Sequence, residues 1–337
     1  RIRKTAGRTP RVKPLPSRRL PHSKSTSRVH AIFDLSPLLS AFPSIEMGVL
    51  VCVALGLVVG CVSAMFGIGG GFVITPFFHS VLGLSATMAV ASSMGQIACM
   101  SLSGFVEYAR QQKIRYRAAL LLLVGAIPSA QLIAILLSSL LPSAAPGSAA
   151  DTAGGLATAD LLLVLAFGLF LGVVGLYNVK RARSYPARRA DDAKQAEQTD
   201  NDASTTSARE REVVESDRPL LTIAVGVLFG AVAALLGIGG GFFAVPFFVY
   251  VLKFEPAEGV ATSFFCILLT SVLTTAQYLW LGNIYFGLSL CVALGSVFGA
   301  QLGSRFAVKI APQRLLMSLG LLQLFVMIAY LVLKLGA

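Results

Sequence analysis

The amino-acid sequence predicts an all-α polytopic membrane protein made of two tandem pseudo-symmetric repeats. Each repeat has about five helical segments, giving eight to ten membrane segments in total. Three observations predict this. Of 337 residues, 55% are hydrophobic in type and only 13% are charged, against about 25% charge in an ordinary soluble domain. The charge is also segregated: residues 1–33 hold ten Lys/Arg and no acid, residues 180–218 hold nine of each sign, and the rest is nearly uncharged. Finally, a segment of the first half recurs in the second half at a fixed offset of 170 residues.

Residues 1–42 form a basic N-terminal extension. It is rich in Arg, Ser and Pro, with no acid before Asp34, a composition that fits an organelle transit peptide. Val29-His30-Ala31 resembles the short Val-x-Ala pattern found near plastid processing sites. Two other readings compete: a basic arm lying on an anionic membrane surface, and upstream sequence from a misassigned start. The expected location is an integral, multi-pass one, in a plastid or other organelle membrane if the extension is a transit peptide and in the cell membrane otherwise.

The first transmembrane repeat is expected over 43–179, with apolar blocks at 47–66, 72–84, 86–108, 118–141 and 159–179. The second is expected over 219–337, with blocks at 219–236, 242–252, 257–281, 286–306 and 313–335. A straight spanning helix needs about 20 apolar residues, so the second block of each half is too short to cross alone. Each follows a glycine run directly and reads as part of a broken or re-entrant helix. Between the repeats, 180–218 is a charged flexible linker. Its stretch KQAEQTDNDASTTSARERE is polar and has little to bury; an amphipathic surface helix over 205–217 is the alternative.

Residues 56–79 read GLVVGCVSAMFGIGGGFVITPFFH and residues 226–249 read GVLFGAVAALLGIGGGFFAVPFFV, with thirteen identical positions. Shared hydrophobic composition would scatter Leu and Val matches; it would not repeat G-I-G-G-G-F-x-x-x-P-F-F at one offset. Inside hydrocarbon a broken helical ladder survives only where protein buries it or a cavity hydrates it. Three glycines remove every Cβ, permit positive φ and let a ligand approach the backbone. The helix that follows offers free N–H groups and a positive dipole end, for which an anion is the natural guest.

The candidate substrate path is therefore Gly69, Gly70, Gly71 and Pro76 in the first half and Gly239, Gly240, Gly241 and Pro246 in the second. Downstream, Val90-Ala91-Ser92-Ser93 aligns with Val260-Ala261-Thr262-Ser263. Ser92, Ser93, Thr262 and Ser263 add hydroxyl donors, with interhelical bonding as their competing role. Gln96 joins the path candidates, and Gln131, Gln277 and Gln301 are further polar residues expected within spans. No Lys or Arg falls mid-span, so N–H and O–H groups must meet the charge of a small anionic substrate. Isolated glycines such as Gly56 and Gly60 read as close helix packing.

These paired motifs, with V-A-[ST]-S downstream, resemble the TauE/SafE membrane family. The resemblance covers about residues 47–335, and the polar 180–218 insert matches that family's variable central loop. It implies export of sulfite and organosulfonates or transport of related small organosulfur anions, by alternating access between the halves. The one departure is V-A-T-S in the second copy, where Thr is an equivalent hydroxyl donor.

Other classes are disfavoured. The basic excess sits mostly in the extension, which weakens a nucleic-acid reading. No catalytic acid–base pair, Ser/His/Asp arrangement, P-loop or metal cluster is present, so the chain reads as neither an enzyme nor a cofactor protein. The five cysteines lie in apolar stretches without C-x-x-C spacing, which speaks against a disulfide framework or zinc site. His79 is the lone histidine of the body and reads as a packing or interfacial residue, with proton coupling as the alternative. Glu107 reads as a surface ion-pair partner. A carrier of another small organic anion and a non-transporting membrane assembly factor stay open, as does a homodimer.

Topology follows from the basic loops. Segments 110–117, 180–189 and 305–314 are basic, while 142–158 and 281–286 have no Lys or Arg. Five crossings per half put all three basic segments on one side, as the positive-inside rule asks, and make the repeats inverted. Four crossings per half make them parallel and set 305–314 against the rule.

Overall fold

The computed structural model describes residues 33–140, 154–183, 219–307 and 312–335. Within them run α1 (Ser36–Ala41), α2 (Ile45–Phe66), α3 (Gly71–Ser80), α4 (Ala86–Arg110), α5 (Tyr116–Leu140) and α6 (Gly154–Arg183). The second half follows with α7 (Pro219–Leu236), α8 (Gly241–Pro246) continued by a π-helical turn over Phe247–Val251, α9 (Pro256–Leu281), α10 (Phe286–Ala307) and α11 (Pro312–Leu335). Every regular element among the described residues is helical. The expectations for residues 1–32, for the linker beyond Arg183 and for loop 142–153 lie outside the described residues.

Six helices, α2, α4, α5, α7, α9 and α10, are long and apolar enough to cross a membrane. Shorter apolar stretches run over Val164–Lys180 in α6 and Gly320–Leu333 in α11. The boundaries have local causes. Ser44 caps α2 by accepting from Met47 N–H at 3.3 Å, and the helix stops at Gly67, where φ is +68°. Glu255 and Glu258 form a capping box at the start of α9 with Pro256 in its first turn. Pro76 and Pro246 lie inside the short helices, where each removes one ladder N–H. α1 lies outside the predicted blocks; its six residues pack Leu38 against Gly48 of α2.

Close contacts fix the helix directions. Gly56 lies on Val292 and Gly60 on Ser296, so α2 and α10 run parallel. Gly226 lies on Leu122 and Gly230 on Ala126, so α7 and α5 are parallel as well. These glycines sit where a Cβ would strike the neighbouring backbone, as expected for small-residue packing. Along α4 and α10, Ser289 donates to the Ser92 carbonyl and Ser103 to the Val297 carbonyl, again a parallel pair. Since a four-residue turn joins α9 to α10, α9 runs opposite to α4. Finally, Gly168 meets Leu331, Gly172 meets Met327 and Gly175 meets Leu324, so α6 and α11 are antiparallel.

Each long helix of the second half thus runs opposite to its counterpart about 170 residues earlier in the chain. α3 packs on α4 and α11, and Leu82 and Leu84 beyond its end share one buried cluster with Leu38 and Cys52. One end of the bundle carries Arg110, Lys113, Arg115, Arg117, Lys180, Arg183, Lys253 and Arg305.

Candidate functional site

Both helix breaks come together at the seam between the halves. A Cβ on Gly71 would strike the Gly237 carbonyl, and one on Gly241 would strike the Gly67 carbonyl. Gly69 and Gly239 lie against each other. Two backbones can cross this closely only where side chains are missing, which is why a glycine run occurs in each half.

The V-A-[ST]-S hydroxyls hold this crossing reciprocally. Ser93 Oγ reaches the Gly237 carbonyl at 3.1 Å and Ser263 Oγ the Gly67 carbonyl at 3.0 Å; each shares its one proton between that carbonyl and the Val90 or Val260 carbonyl of its own helix at 2.7 Å. Both pairs are related by the same offset of 170. The first hydroxyl of each motif accepts instead: Ser92 from Tyr285 N–H and Thr262 from Arg115 N–H, both at 3.1 Å. Those N–H groups immediately precede α10 and α5, where helix geometry leaves donors without a ladder partner. Each of the four hydroxyls proposed as anion donors therefore has a partner in the opposite half, and the role that the sequence set beside ligand binding, interhelical bonding, is the one the structure displays.

The two central glycines differ. Gly240 has φ +76° and faces the Phe229 ring, whereas Gly70 has φ −83° and faces Val59 and the Gln96 amide. Positive φ is one of the reasons the sequence offers for the glycine triplets; at Gly70 it does not hold, because Gly70 is an ordinary right-handed residue ahead of α3. Gln96 is fully buried and donates from Nε2 to Ser296 Oγ at 2.9 Å, while its Oε1 has no partner. Its counterpart is Cys266, so this polar group belongs to one half only. Thr75 adds another one-sided hydroxyl, donating to the Gly237 carbonyl at 3.2 Å where the second half has Val245.

Of the remaining polar candidates, Gln277 donates to the Gln131 carbonyl and Gln301 faces outward. His79 is buried and its Nδ1 donates to the Leu84 carbonyl at 2.8 Å, with the ring edge toward Tyr330. The ion pair at the basic end joins Arg115 to Glu258 at 2.8 Å, rather than using Glu107. Burial, then the Asp34 carboxylate, raise the Tyr285 phenol above its ordinary pKa. The sequence reading passed over Thr270, Thr274, Thr275 and Tyr278 on α9. All are buried, with hydroxyls lacking a hydrogen-bond partner. Setting α4 against α9 at the repeat offset would have exposed them.

Against known proteins, the family model described as "Sulfite exporter TauE/SafE" matches residues 52–331. The chain is 26% identical to the probable membrane transporter protein YunE of Bacillus subtilis, over 80% of this chain and 93% of the relative. It is 23% identical to a probable membrane transporter protein of Methanocaldococcus jannaschii, over 82% of this chain and 94% of the relative. No solved structure matches it. With the family model spanning both glycine breaks and all six apolar crossing helices, the chain is an integral, multi-pass membrane protein that belongs to the TauE/SafE family of membrane transporters.

Proposed function

We propose that the protein is a secondary transporter of small sulfur-containing anions, of the sulfite or organosulfonate class. Two inverted repeats, 43–179 and 219–337, would alternate access around the crossing of their helix breaks. The observation that carries this reading is that crossing: two buried helix breaks without side chains meet at the seam of the halves, and none of the fully buried described side chains is Asp, Glu, Lys or Arg. A site of that composition holds an anion through backbone N–H groups and neutral donors. Such binding is modest in affinity, which suits a carrier that must release its cargo. Without a nucleotide-binding motif in the sequence, the driving force is an ion gradient or the substrate's own gradient.

Gly70 and Gln96 form the polar side of the crossing. Gly69, Gly71, Gly239, Gly240 and Gly241, with Pro76 and Pro246, shape its backbone, and Ser92, Ser93, Thr262 and Ser263 hold it in place. The family's description as a sulfite exporter and the antiparallel run of counterpart helices both support the reading. The test is flux of radiolabelled sulfite into proteoliposomes. Uptake above empty liposomes, competed by an organosulfonate and not by acetate, is expected. Competition by acetate alone would move the assignment to carboxylates, and absence of flux for every anion tried would reject transport.

A further inference from the structure

The α4–α9 seam has two unlike ends. Near the basic end, the Phe264 ring sits so tightly on Gly104 that no Cβ fits. Tyr108 lies 5.4 Å from Phe264, and the Phe265 ring is 5.6 Å from Phe105 and 5.3 Å from Tyr116. The Tyr108 hydroxyl donates to the Ala64 carbonyl of α2 at 3.1 Å, which fixes this aromatic block to the first hairpin.

Moving each of these residues by the offset of 170 gives the opposite end. Phe264 and Phe265 become Met94 and Gly95; Met100, Gly104 and Phe105 become Thr270, Thr274 and Thr275. Phe264 and Phe265 thus give way to small or flexible side chains, and Met100, Gly104 and Phe105 to hydroxyls, while Tyr116 keeps a ring as Phe286. Tyr108 corresponds to Tyr278, whose hydroxyl, unlike that of Tyr108, has no partner. The hydroxyls of Thr270, Thr274 and Thr275 are likewise buried and without partners. Thr270, Thr274 and Tyr278 follow one another at i, i+4 and i+8, so they line one face of α9 from mid-span to its far end. A buried hydroxyl without a partner costs about 1–3 kcal/mol, so a row of them on a single helix face favours any rearrangement of the bundle that brings water or a polar solute beside it.

We propose that this face of α9 is the substrate route between the glycine crossing and the end of the bundle opposite Lys113, and that Phe264 and Phe265 are the plug that closes the route at the basic end. This rests on the transport reading above, while its test needs no substrate. The hydroxyls offer both donors and acceptors, which suits a small hydrated oxyanion passing without a fixed counter-charge.

The experiment uses the full chain with Cys52, Cys61, Cys99, Cys266 and Cys291 replaced by Ser. Single variants Thr270→Cys, Thr274→Cys and Met100→Cys are reconstituted in sealed vesicles. Each is then treated from one face with a membrane-impermeant methanethiosulfonate, and gel-filtration profiles show that each is folded. Thr270→Cys and Thr274→Cys should react from the face opposite Lys113, while Met100→Cys should be protected from both faces. Adding Phe264→Ala should speed modification of Met100→Cys from the Lys113 face by about tenfold or more, a barrier change of 1.36 kcal/mol or larger. Protection of both threonine positions from both faces would overturn the proposal, as would their reaction from the Lys113 face alone. The expected labelling without sulfite flux would uphold the route and reject the substrate class.

Discussion

The two helix breaks carry the same G-I-G-G-G-F-x-x-x-P-F-F sequence and occupy the same crossing, yet their surroundings differ. In the first, Gly70 keeps a right-handed backbone, α3 continues as an α-helix to Ser80, and the neighbours include the Gln96 amide. In the second, Gly240 is left-handed, α8 gives way to a π-turn after Pro246, and the neighbour is the Phe229 ring. The same motif thus sits in a polar break in one half and an apolar break in the other. The glycines that touch the opposite half, Gly71 and Gly241, remain equivalent; the central glycines, which face their own half, do not. Contact across the seam constrains the backbone, and the space away from it is free to diverge.

The largest expected effect tests the part the breaks share. In Gly241→Ala the new methyl meets the Gly67 carbonyl and the Ile68 Cα, both backbone atoms that cannot move aside singly. Forcing atoms into a packed interior costs about 1–3 kcal/mol and occasionally more, and two backbones meeting head-on belong at or above the top of that range. Gly71→Ala should be equally severe, because its methyl meets the Gly237 carbonyl. The measurement is the monodisperse fraction after detergent extraction. A normal yield for either variant would show that the crossing is looser than this packing.

A smaller effect tests the part that differs. Gly240→Ala places a methyl on a residue with φ +76° and 2.8 Å from the Phe229 ring. A left-handed backbone costs an L-residue about 1–2 kcal/mol. At Gly70 the backbone is already permissive, and the methyl meets the Val59 and Gln96 side chains, which can adjust, at 3.0 and 3.3 Å. Gly240→Ala should therefore lower the melting temperature more than Gly70→Ala does. Gly70→Ala should instead weaken sulfite flux at nearly unchanged stability. Equal losses of stability would mean that the two breaks are alike after all.

Much of this architecture was readable in the residues. The block at 219–236 and helix α7 coincide, and the other long helices start and stop within a few residues of their blocks, because apolar runs of spanning length have few alternatives in a bilayer. The site was less readable. Ser93 and Ser263 bond to carbonyls 144 and 196 residues away in the chain, and no local pattern announces such a partner. Three adjacent glycines also leave open which of them takes positive φ, since each can; the decision falls to Phe229 and Gln96, which are distant in sequence. α1 escaped because six residues, with Pro37 in the first turn and Pro43 just beyond the end, are too few to show a period.

The smallest effect separates the two reciprocal hydroxyls. The Gly67 carbonyl has Ser263 within reach, whereas the Gly237 carbonyl has both Ser93 and Thr75; the single Thr75 proton is shared between that carbonyl at 3.2 Å and Ser93 Oγ at 2.9 Å, and is free for the carbonyl once Ser93 is gone. Removing Ser93 leaves Thr75 in place on the same carbonyl. Removing Ser263 has no such cover, because position 245 is Val. Interhelical hydrogen bonds within membranes average about 0.6 kcal/mol and reach about 1.7. Ser263→Ala should therefore cost up to about 1 kcal/mol more than Ser93→Ala, the penalty for a buried carbonyl left alone. Thr75→Val in the Ser93→Ala background should then cost as much as Ser263→Ala, since it removes the cover that the first half has and the second lacks. Thermal unfolding in detergent reads all three variants on one scale. If Ser93→Ala alone proves as damaging as Ser263→Ala, the Thr75 hydroxyl does not share the load at Gly237, and the one-sidedness of the crossing rests on Gln96 alone.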